Sequence, residues 1–338
     1  MKIFFRVQSG MSQARGFSLV EFMVAMAIGL ILIAGIMTLV IGNLQGYGEL
    51  IKSGHKIENG RFATQLLRDD VAHAGYFGGW GRPADVSAVP PACDVGVSAI
   101  ADILAFPVQG WNASSATAVP GSDWGCLASA NFKPGTDVLV VNRVSTRVTE
   151  KASLQGSRLY IQATPIDIVL SRGDADPDPF ILQNEEDEDA DIRTVLKHIY
   201  FITSCSDCAS NDGVPTLRRL EIANNGGLTS IALVEGIENM QIDFGLDDNG
   251  NSSPDRFVAE PASAVEWSSV VAVRINLLVR NILATPGHED TKEYLLGSGV
   301  STSGTVTEKV VGPFNDGFKR SVYSVTVRLQ NPAGRREL

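Results

Sequence analysis

The chain has 338 residues, which is enough for one large domain or two small ones, and its formal net charge is −10. This acidic balance disfavours a phosphate backbone as a partner, and the sequence has no basic patch interleaved with aromatic residues. Nucleic-acid binding is therefore excluded as the expected function.

The first feature along the chain is a basic leader, residues 1–16, followed by an apolar run, residues 17–41. The leader has no acidic residue, and its basic residues are Lys2, Arg6 and Arg15. Positive residues beside an apolar segment stay in the cytoplasm, so the rest of the chain is expected on the far side of the membrane. The apolar run is long enough to span the bilayer as a helix, and its one ionisable residue is Glu21.

Glu21 is unusual because a carboxylate in the bilayer core costs roughly 3 kcal/mol on insertion scales and needs a cation or donors nearby. A secretory signal peptide has a shorter apolar core and is cleaved after it, whereas the Gly16–Phe17 junction precedes the apolar run. Cleavage at this junction would remove the leader and keep the helix. The alternative is an ordinary single-pass anchor in which Glu21 reaches towards the lipid headgroups.

This junction resembles the class III signal of type IV prepilins and type II secretion pseudopilins, on the residues Arg15-Gly16-Phe17-Ser18-Leu19-Val20-Glu21. The resemblance implies that a prepilin peptidase cleaves between Gly16 and Phe17 and that the new amine of Phe17 is N-methylated. It also implies that Glu21, the fifth residue of the mature chain, pairs with the N-terminal amine of a neighbouring subunit. A buried carboxylate needs such a partner.

Residues 42–75 are expected to extend the helix beyond the membrane as an amphipathic segment. Residues 42–54 contain four glycines, which either continue the helix weakly or kink it. The expected apolar stripe consists of Ile57, Phe62, Leu66 and Leu67. The expected polar side consists of Glu58, Arg61, Arg68, Asp69 and Asp70. Such a stripe has to be buried, which predicts that this part of the helix packs on a sheet.

The four cysteines fall into two local pairs, Cys93/Cys126 and Cys205/Cys208. Residues 76–134 are rich in Gly, Pro, Ser and Ala, which predicts an irregular loop held by the first pair. Export to an oxidising compartment makes disulfides the default, and local pairing is favoured, although four cysteines allow three connectivities. The Cys205–Cys208 motif is also compatible with a redox site or with a metal site that takes His198 as a further ligand.

Strand patterns dominate after residue 134. They cover residues 136–144, 158–163, 195–203 and 217–222, and the last two flank the second cysteine pair and predict a hairpin. Residues 167–191 are acidic and predict a solvated loop. Period-2 alternation then marks residues 240–246, 271–279 and 323–329, which predicts antiparallel strands with one face in a core and one face in water.

The expected fold class is therefore α+β, with a long N-terminal helix packed on antiparallel sheet in a β-rich globular domain, residues 76–338, that carries loop-rich insertions. This is also the pilin layout. Several segments resemble PilW-type minor pilins, namely residues 74–78, 234–245, 247–250, 267–280 and 318–331. The family usually has Arg-Arg and Leu-Arg-Asn in its closing segment, where this chain has Lys319-Arg320 and Leu329-Gln330-Asn331.

One loop has the oxygen spacing of a calcium site. Asp247, Asn249, Asn251 and Asp255 occupy positions 1, 3, 5 and 9 of a Ca²⁺ loop. Ser252 stands at the sixth position, where an EF-hand has Gly, and Val258 stands at the twelfth, where it has Glu. The alternative is a polar turn between strands, because Asp, Asn and Gly are turn formers. No other cofactor is predicted.

The sequence predicts no enzyme, because its four histidines (His55, His73, His198 and His288) lack triad or ligand spacing and no phosphate-binding Gly loop follows a strand. A buried histidine or carboxylate cluster in the structure would reopen that question.

The resemblance implies a minor pilin that primes pilus assembly and joins the pilus tip. The expected partners are other minor pilins, the major pilin, prepilin peptidase and the inner-membrane assembly platform. The expected location is the bacterial inner membrane, with a single span and the C-terminal domain in the periplasm, and then the pilus. The alternatives are a J-type pseudopilin of a type II secretion system and a membrane-tethered adhesin or calcium-binding module.

Overall fold

The computed structural model describes residues 16–81, 88–128, 131–176, 178–300 and 306–332. The predicted leader, apart from Gly16, lies outside the described residues. The chain divides into two compact units, residues 1–51 and residues 52–338. The α-helices are α1 (Leu19–Ala72), α2 (Val97–Asp102), α3 (Gly125–Ala128) and α4 (Ala264–Ser268), with short 3-10 helices at Ile103–Ala105, Ser122–Trp124 and Lys151–Ser153.

Thirteen strands are described, and all their pairings are antiparallel. The first seven are β1 (Val108–Trp111), β2 (Val138–Val148), β3 (Leu159–Ala163), β4 (Ile168–Arg172), β5 (Ile192–Thr203), β6 (Thr216–Ile222) and β7 (Leu228–Glu235). The others are β8 (Ile237–Leu246), β9 (Arg256–Val258), β10 (Val270–Arg280), β11 (Tyr294–Val300), β12 (Val306–Val311) and β13 (Arg320–Arg328). The predicted α+β class is confirmed.

The first unit consists of the N-terminal part of α1. Among the described helices, α1 is the one that is long and apolar enough, by length and composition, to cross a membrane. No residue of its most apolar 18-residue window is buried. The four glycines of residues 42–54 do not interrupt the helix. Uniform apolar exposure is what a helix shows when its surroundings are lipid or other apolar helices rather than water.

In the second unit, the prediction of the buried stripe of α1 is confirmed for Leu67, which is buried, and for Leu66, which is partly buried against the core, but it is wrong for the other two residues. Ile57 and Phe62 are exposed, whereas the buried residues are Lys56, Gly60, Ala63, Leu67, Asp70 and Val71. Gly60 is the point of closest approach, because a Cβ there would lie 2.4 Å from the ring of Tyr323 on β13. Gly60 and Ala63 are small, which lets the helix approach the sheet closely. They therefore lie on the buried face, whereas the larger apolar residue Phe62 is exposed.

The larger sheet has the order β1-β2-β5-β3-β4. In addition, β6 pairs with β5, and β7 pairs with β6. The predicted hairpin across the second cysteine pair is confirmed, since β5 pairs with β6. One face of this sheet shares a core with α1 through Leu139, Val141 and Tyr200. The opposite face is covered by the segment predicted to be irregular. It contains α2, β1 and α3, and it buries Ile100 and Leu127 against the sheet. The prediction holds in that the Cys93–Cys126 disulfide is present and most of the described residues of this segment are irregular. It missed the short helices and β1, and the apolar residues among the glycines and prolines that supply a second core.

The second sheet has the order β13-β10-β8-β9. Its inner face joins the α1 core, as the alternation predicts, through residues such as Met240, Ile242, Val273 and Ile275. The expected wet face is wrong for β8 and β10, which are buried on both sides. The β11–β12 hairpin covers that face so closely that a Cβ at Gly297 would lie 3.0 Å from side-chain atoms of Asp243 and Asn276. The acidic stretch 167–191 likewise begins with a strand, β4, rather than a loop.

Candidate functional site

The predicted processing and assembly residues lie together at the start of α1. Gly16 and Phe17 precede the helix in an exposed, non-helical segment, and the Phe17 side chain is 85% exposed. Glu21 lies in the first turn of the helix and is also exposed. An acidic side chain in the first turn is favourable for the helix dipole, so Glu21 is compatible with helix formation even before a partner is present. The arrangement leaves both the junction and the carboxylate open to another protein.

The four cysteines form two disulfides, Cys93–Cys126 and Cys205–Cys208, which is the local pairing that the sequence favours. Lys197 of β5 is completely buried beside the first disulfide and donates hydrogen bonds to the carbonyl oxygens of Pro91 and Asp94. Burial lowers the pKa of Lys197 to about 8. His198, considered above as a metal ligand, instead contacts Asp70 on α1.

Asp70 is the centre of a buried polar cluster between α1 and the larger sheet. One carboxylate oxygen accepts hydrogen bonds from the Tyr200 hydroxyl at 2.8 Å and contacts His198 Nδ1 at 2.7 Å. The other oxygen accepts a hydrogen bond from Arg143 Nε at 2.7 Å. Asp70 was predicted on the solvent side of the helix, and that prediction was wrong. Residue 70 shares the buried face with Ala63 and Leu67, where a carboxylate is stable only with partners.

This cluster does reopen the question of an enzyme, but its chemistry fits a structural role. Burial and the neighbouring Asp70 raise the pKa of the Tyr200 hydroxyl well above its ordinary value, which makes it a poor nucleophile. Both oxygens of Asp70 are already hydrogen-bonded, and the His198 side chain is 6% exposed. A fully satisfied buried network fixes one packing arrangement, which here joins α1 to strands β2 and β5.

We expect Asp70→Asn to destabilise the protein in a pH-dependent way. Burial alone would raise the pKa of Asp70, but the hydrogen bond and charge of His198, the charge of Arg143 and the Tyr200 hydroxyl outweigh it and hold that pKa well below 3.8. A carboxyl with a lowered folded pKa stabilises the fold above its unfolded pKa, and this contribution is lost as the pH falls. The free energy of unfolding of the variant should be about 3 kcal/mol lower than that of wild type at neutral pH, and this gap should narrow steadily as the pH falls from about 5 towards 2.

Urea unfolding of the full chain in detergent, followed across this pH range, measures the gap. Asp69→Asn is the matched control, because Asp69 is the exposed neighbour of Asp70. A gap for Asp70→Asn that does not change with pH, or one no larger than that of Asp69→Asn, would contradict the assigned role.

The predicted calcium residues lie in the loop between β8 and β9, where their oxygens accept hydrogen bonds from the loop itself. The Asp247 carboxylate accepts from the backbone N–H groups of Gly250, Asn251 and Ser252. The Asp255 carboxylate accepts from Asp248 N–H and from the Asn249 amide. Within the described residues, no group of three or more His, Cys, Asp or Glu side chains is placed to hold a metal ion. This geometry favours the polar-turn alternative.

We expect calcium to leave the melting temperature of the full chain unchanged and Asp247→Ala to lower it equally with calcium or with chelator. A site as weak as about 1 mM would still add about 1 kcal/mol of stability at roughly 5 mM calcium. Thermal unfolding with calcium, with magnesium and with chelator measures this. A calcium-specific rise in the melting temperature that Asp247→Ala abolishes would establish the calcium site instead.

Two parts of the chain match known families. Residues 199–331 match the family model described as Type IV Pilus-assembly protein W, and residues 11–37 match the prokaryotic N-terminal methylation motif. The resemblance to prepilins and to PilW-type proteins is thereby confirmed for these regions, which include the Gly16–Phe17 junction, Glu21 and strands β6 to β13.

Among solved structures, a type IV-like pilin from Thermus thermophilus is similar to this chain, with 11% sequence identity and a TM-score of 0.33. The similarity covers 81% of this chain and 97% of that one. No curated protein sequence matches the chain significantly.

Proposed function

We propose that this chain is a minor pilin that helps to initiate type IV pilus assembly, in a priming or tip complex with other minor pilins. The observation that carries the proposal is the presence in one chain of both matches, the methylation motif at residues 11–37 and the PilW domain at residues 199–331. The apolar first unit of α1 is consistent with membrane anchoring before assembly and with helix packing after it. The protein would act by assembly and not by catalysis.

In this mechanism, prepilin peptidase removes residues 1–16 and exposes the amine of Phe17, which is then N-methylated. The anchor holds the chain in the inner membrane with the C-terminal domain in the periplasm. An assembly platform and the major pilin then take the subunit into a growing filament. Glu21 guides docking, since its carboxylate in an apolar core attracts the N-terminal amine of a neighbouring subunit.

Gly16→Ala tests the cleavage site in the full chain. We expect this variant to remain at precursor mass, because the peptidase reads the residue before the junction, whereas wild type begins at N-methylated Phe17. Mass spectrometry of the N-terminal peptide from the membrane fraction distinguishes the two forms. Ser18→Ala, which lies on the other side of the junction, is the control and should be processed. A Gly16→Ala chain of mature mass would contradict the proposed site.

A deletion strain separates the pilus role from the alternative of a J-type pseudopilin. A minor pilin is required for surface filaments, so its loss should abolish piliation and leave type II secretion intact. Loss of secretion with normal piliation would favour the pseudopilin alternative.

A further inference from the structure

An open groove with a volume of about 1040 Å³ lies at one end of the larger sheet. Three segments contribute to its lining: residues 76–79 after α1, residues 163–167 at the turn between β3 and β4, and residues 181–191 before β5. Two large apolar side chains of this lining, Ile166 and Ile181, are 59% and 73% exposed. Because neighbouring apolar side chains on a concave surface are normally covered by another group, the groove has the form of a docking site.

The lining of the groove is strongly acidic. Six of its residues are exposed carboxylates: Asp167, Glu185, Glu186, Glu188, Asp189 and Asp191. Arg193 is the one basic residue among the described lining residues, and it is already engaged, because it bonds to Asp191 at 2.6 Å and lies over the Tyr76 ring. The other five carboxylates form no salt bridge within the described part of the chain. A cleft lined by charges of one sign attracts the other sign, so this groove favours a cationic occupant.

Residues 333–338 carry the complementary chemistry. This segment follows the last described residue, Pro332, and has the sequence Ala-Gly-Arg-Arg-Glu-Leu. It contains two guanidinium groups, those of Arg335 and Arg336, and one large apolar side chain, that of Leu338. A guanidinium is well shaped to bind a carboxylate, since its planar fork can bond to both oxygens at once. The segment therefore offers cations to the carboxylates of the groove and an apolar side chain to its two isoleucines.

The segment also starts within reach of the groove. Asn331 donates a hydrogen bond from its side-chain amide to the Ala74 carbonyl at 3.2 Å, which places the last described residues beside the end of α1. Tyr76, which lines the groove, comes two residues after Ala74, so the Cα atoms of these two residues are at most about 8 Å apart. An extended segment of the length of residues 333–338 spans roughly 20 Å. Both of its arginines can therefore reach the groove while Asn331 stays in place.

We propose that residues 333–338 occupy this groove in the same chain, with Arg335 and Arg336 on its carboxylates and Leu338 against its two isoleucines. Each exposed ion pair of this kind is weak by itself. A segment that is joined to its site by a few residues is present there at a roughly millimolar effective concentration, so weak contacts are enough to hold it. The segment then acts as a built-in cover, and a basic segment of another protein enters the groove only by displacing it.

The charge of the chain favours an occupant from the same chain over a second copy. The formal net charge is −10, so two copies repel each other as one approaches the groove of the other. Residues 333–338 contain two arginines and one glutamate, so they bring net positive charge to the groove without any association between chains.

Cross-linking within the chain tests this placement. The purified full chain in detergent carries Gln183→Cys in the groove and Glu337→Cys in the segment, and it is treated with a short bis-maleimide reagent. The four native cysteines are in disulfides and do not react. The matched control has His73→Cys in place of Gln183→Cys. His73 is exposed and directly precedes Ala74, the contact of Asn331, but it lies outside the groove. We expect the groove pair to give about tenfold more intrachain cross-link than the control pair.

Charge variants test whether ion pairs hold the segment. Arg335→Ala with Arg336→Ala should lower the yield from the groove pair to that of the control pair. Salt at about 1 M should do the same, because it shortens the Debye length to about 3 Å. Arg335→Glu with Arg336→Glu should also abolish the difference, and addition of Glu185→Lys with Glu186→Lys should restore part of it, since opposite charges then face each other again. Unchanged circular dichroism shows that the variants fold.

The yield and the mass of the product decide between the outcomes. Equal yields from the groove pair and the control pair would overturn the proposal, as would a groove yield that Arg335→Ala with Arg336→Ala leaves unchanged. A product of twice the chain mass would assign the groove to a second copy and would overturn it as well. None of these measurements involves a filament, so they are independent of the proposed function.

Discussion

Glu21→Ala should give a chain that inserts into the membrane normally and is almost absent from filaments. Insertion should be unaffected because the substitution removes the one ionisable residue of the apolar run and makes that run easier to insert. Assembly should fail because the amine of a neighbouring Phe17 would then lie unpaired among apolar helices. Removal of one partner of a buried ion pair costs about 3–5 kcal/mol, which corresponds to a loss of roughly 100-fold or more in incorporation.

The measurement is the ratio of the chain in sheared filaments to the chain in the membrane fraction, by immunoblot. Met23→Ala is the matched control, since Met23 is an exposed residue of the same helix and its truncation removes no charge. Glu21→Gln keeps a hydrogen-bond acceptor without the charge and should fall between wild type and Glu21→Ala. Incorporation of Glu21→Ala at the level of Met23→Ala would remove the basis for a docking role.

The parts of this protein that the sequence predicts are those whose signals are local. The Gly16–Phe17 junction and Glu21 lie within six residues, and the strands β8, β10 and β13 each carry their own alternation. The hairpin of β5 and β6 follows from two β-prone runs on either side of a cysteine pair. In each case neighbours in sequence determine the outcome, so no knowledge of the tertiary structure is needed.

The parts that the sequence does not predict depend on contacts between distant residues. Asp70 joins residues 73 and 128 positions further along the chain, Arg143 and His198. Small residues mark the part of the buried face that the apolar pattern missed, because Gly60 and Ala63 lie on it with Asp70. Periodicity assigned by large apolar residues correctly selected Leu66 and Leu67, but it also selected Ile57 and Phe62, which are exposed. A charged residue at such a position is predicted to be exposed to solvent unless its partners are known.

The same reasoning explains the wrong expectation of a wet face on β8 and β10. Alternating polar residues indicate water only if nothing covers them, and here the β11–β12 hairpin does. The covered polar residues then need partners. Gln241 donates to the Gly135 carbonyl, and the Asp243 carboxylate lies 3.8 Å from Arg274. Asn276 accepts a hydrogen bond from the Ser324 hydroxyl. Polar alternation on a strand therefore does not distinguish a solvent-exposed face from a covered polar layer, in which Gln241 Oε1 and Asn276 Nδ2 have no hydrogen-bond partner among the described residues.

Arg320 is the residue whose loss should destabilise the globular unit most. Its guanidinium is fully buried and bonds to Glu238, to Asp290 at 2.8 Å and to Asp316 at 2.6 Å. It also lies over the ring of Phe314, 3.8 Å from the centroid. The Asp290 and Glu238 side chains are 1% and 8% exposed, so neither can turn to water when Arg320 is removed. The guanidinium fork fixes the start of β13 against β8 and the segment before β11.

Arg320→Met should lower the free energy of unfolding by about 4 kcal/mol and the melting temperature by roughly 10 °C. It removes the cation that bonds to the buried Asp290 carboxylate. It also removes the closest cation of the buried Glu238, which keeps only Lys133 at 3.6 Å and Arg280 at 3.9 Å. Arg320→Lys should recover only part of this, since an ammonium cannot bond bidentately to several carboxylates at once.

Thermal and urea unfolding of the full chain in detergent measure both effects. Arg256→Met is the matched control, because Arg256 also bonds to two carboxylates, Asp248 and Glu266, but is 42% exposed. Its loss should cost less than about 1 kcal/mol. Addition of Asp290→Asn to Arg320→Met should restore part of the stability by neutralising the buried carboxylate that has lost its ion pair with Arg320. If Arg320→Met cost no more than Arg256→Met, or if addition of Asp290→Asn lowered the stability further, burial of unpaired charge would not be what Arg320 prevents.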